Sequence, residues 1–156
     1  MRALLSPLSL VGDKIRQDEV LKTTRVKGSN FTLVDVMEPI VRECEEVTRN
    51  EPDPEPAIKA CIAEVLDHIS SAAGVMRDMF ATMPMDRADE VKEKALREKE
   101  WQKRLNGKTI AEIAMPLADA CTSAAKTLKK EAASSIFVCV METANLLKMY
   151  VNDLQV

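Results

Sequence analysis

Aromatic side chains are nearly missing from this chain, which has three Phe, one Trp and one Tyr in 156 residues. A core built without them must be filled by aliphatic side chains, and Ala, Val, Leu, Ile and Met supply it here. Glycine is scarce too, at four residues, which disfavours turn-rich β architectures. The one histidine, His68, cannot build a di-iron bundle site, which needs a Glu-x-x-His pair from each of two helices. It also leaves no Ser/His/Asp or Cys/His nucleophile to defend. Cys44, Cys61, Cys121 and Cys139 contain no C-x-x-C pair, so a Cys/His zinc site is unsupported. Gly107-Lys108-Thr109 lacks the preceding glycine and loop of a phosphate-binding segment. No apolar run approaches the ~20 residues of a membrane span. The net charge of −3, from 22 basic and 25 acidic residues, argues against non-specific nucleic-acid binding.

What is present is helical periodicity. Between Ala57 and Met83, apolar residues fall at Ile58, Cys61, Ile62, Val65, Ile69, Ala72, Ala73, Met76, Met79, Phe80 and Met83. A stripe that long must be buried against other helices. The expected fold is all-α, a single-domain helical bundle of four to five helices over 35–156. An arm over 1–34 precedes it. Within the arm, Met1 to Gly12 reads as a packed or frayed segment. Val20–Val26 and Phe31–Val36 flank the turn-like Lys27-Gly28-Ser29-Asn30, so an extended segment and a short β-hairpin remain equal alternatives.

The spacing of Asp35 and Glu38 predicts a helix start there, with a buried face of Val36, Met37, Ile40, Val41, Cys44 and Val47 and an end near Asn50. Glu51 to Pro56 alternates acidic residues with proline and predicts a stiff connector, with Pro56 opening the long helix. Pro84 should close that helix. Asp86 to Arg104 is mostly charged and predicts a peripheral helix supported by i,i+4 ion pairs, stopped by Asn106-Gly107. Thr109 and Glu112 form the clearest capping box. Pro116 should kink the helix that follows or end its first segment. A last helix from about Ser135 carries Ile136, Cys139, Val140, Leu147, Tyr150, Val151 and Leu154 on one face. Its stretch Ile136 to Met141 is apolar on all sides, as in a central helix or one that meets a partner.

Each cysteine lies in the apolar periodicity of its own helix, where a free thiol packs as a small hydrophobe. The expectation is therefore reduced, buried thiols, and a cytoplasmic or other reducing intracellular location.

The sharpest chemical pattern is Glu43-x-x-Glu46 followed by Glu64-x-x-Asp67. Acidic pairs at i,i+3 put two carboxylates on adjacent turns, and two such helices side by side would offer hard oxygen ligands to Mg²⁺. This spacing resembles the all-α nucleoside-triphosphate pyrophosphatases over about Asp35 to Met76. The resemblance implies Mg-dependent pyrophosphohydrolysis, with Glu43, Glu46, Glu64 and Asp67 as metal ligands. That reading is the alternative. The leading one is a non-catalytic helical-bundle module for protein–protein interaction or assembly, with no cofactor and no membrane. It would bind a protein partner or a second copy of itself through Ile136, Phe137, Val140, Met141 and Leu147, since apolar surface there exceeds one stripe.

Overall fold

A computed structural model describes residues 9–80, 104–105, 107–127 and 133–155 of the chain. Among them are six helices: α1 (Ser9–Arg16), α2 (Glu19–Thr23), α3 (Leu33–Val47), α4 (Pro54–Phe80), α5 (Ile110–Thr127) and α6 (Ala133–Asp153). A two-stranded antiparallel ribbon, β1 (Arg104–Leu105) and β2 (Lys108–Thr109), leads into α5. The fold is an all-α single domain, as the periodicity predicts.

Helix α4 is the beam of the molecule, 27 residues and about 40 Å long at 1.5 Å per residue. Its most extensive partner is α6. The two run antiparallel in a steady register. Asp67 meets Lys148 at 2.7 Å, Ser70 donates to the Asn145 side chain at 2.8 Å, and Gly74 backs onto the Met141 sulfur. Helix α3 packs on α4 and α5. The core is mainly aliphatic: Val36, Ile40 and Val41 of α3 meet Ile58, Ile62 and Leu66 of α4, with Ile113, Leu117, Ala144 and Leu147 closing it and Phe137 adding an aromatic ring.

The N-terminal arm differs from expectation. Residues 9–23 form two short helices, and the hairpin shrinks to one bridge between Arg25 and Thr32 around the turn at Gly28. Burial explains this. Val11 and Ile15, four residues apart, both enter the core, and that gain outweighs the helical cost of Gly12 between them. Gly12 leaves room for the carboxylate of Glu45, which a Cβ there would displace. Arg16 takes up that carboxylate at 2.7 and 3.1 Å and also donates to Glu38 at 2.8 Å.

Other boundaries shift for local reasons. Thr32 caps α3 three residues ahead of the predicted start, in a reciprocal capping box with Asp35. The long helix takes in Pro54 as well as Pro56, since early proline positions lose no hydrogen bond. Pro116 neither ends α5 nor divides it. Gly107, at φ +82°, lies in the turn between β1 and β2. Thr109 and Glu112 do form the predicted capping box. Pro84 and nearly all of the predicted charged helix from Asp86 to Arg104 lie outside the described residues.

The cysteines require a correction. They are not reduced thiols: Cys44 pairs with Cys61 and Cys121 with Cys139, and each pair has its Cα atoms 5.7 Å apart. The α3–α4 and α5–α6 hairpins bring their apolar faces together at a separation a disulfide can bridge. Two such bonds point away from a cytoplasmic or other reducing compartment, where thiols are kept reduced.

Candidate functional site

At one end of the bundle, the last turns of α4, the second half of α5 and the first half of α6 enclose a cleft of about 530 Å³. Small side chains create it. Ala124 and Ala125 on α5 face Ser134 and Ser135 on α6, so the helices leave space where larger residues would interdigitate. Val26 and Val138 add apolar wall, and the Cys121–Cys139 disulfide forms part of it. The rim is polar, with Lys27, Arg77, Asp78, Glu142 and Thr143. Arg77 donates to the Asp78 carboxylate at 3.0 and 3.2 Å. With two cations and two anions at its edge, the cleft presents no single-sign field.

The four carboxylates of the two acidic pairs are not brought together. Glu43 is 4% exposed, and its Oε2 meets Lys108 of β2 at 3.1 Å. Its Oε1 is buried without a hydrogen-bond partner among the described residues. Glu46 pairs with Arg49 within its own segment. Glu64 is exposed on α4, and Asp67 reaches across to Lys148 of α6. Among the described residues, no three His, Cys, Asp or Glu side chains are placed to hold a metal ion.

The five proposed anchors are largely used inside the molecule. Phe137, Val140 and Leu147 are buried, and Ile136 and Met141 are partly buried against the core. The all-round apolar stretch of α6 is thus explained by its neighbours, since α4 and α5 both pack on this helix. The large apolar side chains left exposed on α6 are Leu146 and Met149.

Among the described residues, three ionisable groups are perturbed, all where the arm meets the bundle. The Glu45 carboxylate, ahead of Glu38, pushes the Arg16 guanidinium up despite partial burial. The Tyr150 hydroxyl, helped by the backbone N–H groups of Leu21 and Val20, holds Asp18 below the usual carboxylate value. Burial, then Asp18, pushes Tyr150 up. Each shift follows from a structural contact and none adjoins the cleft.

Sequence reasoning missed the cleft and the disulfides. A signal for the disulfides was present, because the two separations, 17 and 18 residues, are nearly equal and each spans one predicted helical hairpin. The cleft's signal is fainter: paired small residues face each other where a bundle usually carries Leu or Ile.

Among the described residues, no helix is long and apolar enough to cross a membrane. The chain matches no protein-family model, and no curated protein or solved structure is significantly similar to it.

Proposed function

We propose that this chain is a non-catalytic binding protein of an oxidising compartment, a disulfide-stapled helical bundle that takes a small, mainly apolar ligand. The cleft between α4, α5 and α6 carries the reading. Its volume falls within the ~300–1,000 Å³ range of ligand sites, and an apolar wall under a polar rim is their usual make-up. This reading departs from the protein–protein interaction or assembly module expected from the sequence. Ile136, Phe137, Val140, Met141 and Leu147 are engaged with the core and give no support to docking a partner or a second copy. The dispersal of Glu43, Glu46, Glu64 and Asp67 likewise lends no support to Mg²⁺-dependent pyrophosphohydrolysis.

The test is a titration of the oxidised protein with a panel of small lipophilic fluorophores and their non-fluorescent competitors. A parallel series uses Val138→Trp and Ser135→Trp, which fill the cleft from its half-buried wall. Saturable binding that both variants abolish, with an unchanged helical spectrum, is the expected result. Absence of saturable binding, or binding unaltered in both variants, would overturn the reading.

A further inference from the structure

The two disulfides occupy different surroundings. Cys44 and Cys61 join α3 to α4, and Cys44 packs among Ile40, Val41 and Ile58 in the core. Cys121 and Cys139 join α5 to α6, and both contribute to the wall of the cleft. Exposure is unequal in the same way in both pairs, with Cys44 and Cys121 buried and Cys61 and Cys139 half-buried, so the cleft is what distinguishes the second bond.

We infer that Cys121–Cys139 is a thiol-exchange site reached through the cleft, at which a low-molecular-weight monothiol modifies Cys139. Exchange requires a thiolate to approach one sulfur of the bond with room opposite the leaving sulfur. The cleft, whose wall includes the half-buried Cys139 beside the small Ala124, Ser134 and Ser135 side chains, supplies that room. The thiolate sulfur forms a bond to Cys139 Sγ as the Cys139–Cys121 bond breaks. Cys121 leaves with the electron pair and takes up a proton from solvent, so no oxidant is consumed. A second equivalent of the same thiol would release Cys139 as a thiol and depart as the symmetrical disulfide. The mixed disulfide places the substituent of the incoming thiol inside the cleft, so the modification and a ligand compete for the same space.

The exchange step stands on the geometry of the cleft alone, and only its competition with a ligand rests on the function proposed above. The experiment exposes the folded, oxidised full-length protein to limiting β-mercaptoethanol, quenches with iodoacetamide and maps the modified cysteines by peptide mass spectrometry. A β-mercaptoethanol adduct on Cys139 with alkylated Cys121 is expected, forming at least about tenfold faster than any product at Cys44 or Cys61. Val138→Trp should slow that adduct without changing the rate at Cys44–Cys61. Equal opening of both disulfides, first reaction at Cys44 or Cys61, or a Cys139 rate unmoved in folded Val138→Trp would each overturn the inference. Adduct formation in a protein that binds none of the fluorophores would reject the ligand reading and leave the exchange site standing.

Discussion

Tyr150 donates its hydroxyl proton to the Asp18 carboxylate at 2.7 Å, tying residues 132 positions apart in the chain. The same carboxylate caps α2 by accepting the backbone N–H groups of Val20 and Leu21. One side chain therefore starts a helix of the arm and fastens it to the last helix of the bundle.

Tyr150 is the only tyrosine, so its ionisation can be followed alone by ultraviolet absorbance. Its midpoint should lie above the ordinary 10.0, because burial and then Asp18 oppose the phenolate. Asp18→Asn should bring the midpoint down part of the way, since the burial remains. Folding favours the neutral phenol, so this stabilisation is complete below 10.0 and is lost as pH rises through the raised folded value.

The acid side has the opposite sign. Asp18 titrates below its ordinary 3.8 in the folded chain. Its contribution is present above 3.8 and disappears as pH falls through the lowered value. Urea melts should therefore show a stability gap between the parent and Tyr150→Phe at neutral pH that narrows below 3.8.

Lys108 is the ion-pair partner of the buried Glu43 carboxylate. Lys108→Met should cost about 1–3 kcal/mol, because it leaves a buried acceptor without its partner. Adding Glu43→Leu should recover most of that loss. Chemical denaturation of the parent and the two variants would show it, and equal stability of the parent and Lys108→Met would refute the pairing.

The Asp67–Lys148 pair is solvent-exposed on the Asp67 side, so its net contribution should stay below ~1 kcal/mol. Its value is as a marker of register. Asp67→Lys should destabilise slightly, and the charge swap Asp67→Lys with Lys148→Asp should restore the parent melting temperature.

Non-reducing denaturation followed by thiol titration should find no free sulfhydryl. Replacing either pair, Cys44 with Cys61 or Cys121 with Cys139, by serine should cost about 3 kcal/mol in each case, since the two loops are nearly equal in length.

The fold was legible where burial imposed a long period. Ile58, Ile62, Val65 and Ile69 fix α4, and Thr109 with Glu112 fix the start of α5. The arm was illegible because α1 and α2 are short and depend on distant partners. Ile15, Arg16 and Asp18 are explained by the core, Glu45 and Tyr150, and no local window contains those contacts. The cysteines misled because a half of a disulfide on an apolar helix face looks the same in sequence as a packed free thiol. Glu43 and Asp67 matched a ligand spacing, but each helix turns its carboxylate toward a different lysine, Lys108 or Lys148.

Four cysteines can pair in three ways, and this chain uses the pairing in which each cysteine joins its nearest neighbour in sequence. Those are the shortest loops available, and their closure has the smallest entropic cost of the three arrangements. Oxidation on a nascent chain could therefore complete Cys44–Cys61 before Cys121 has been synthesised. The native pairing is also the kinetically favoured one, and the chain should mature with little need for disulfide isomerisation.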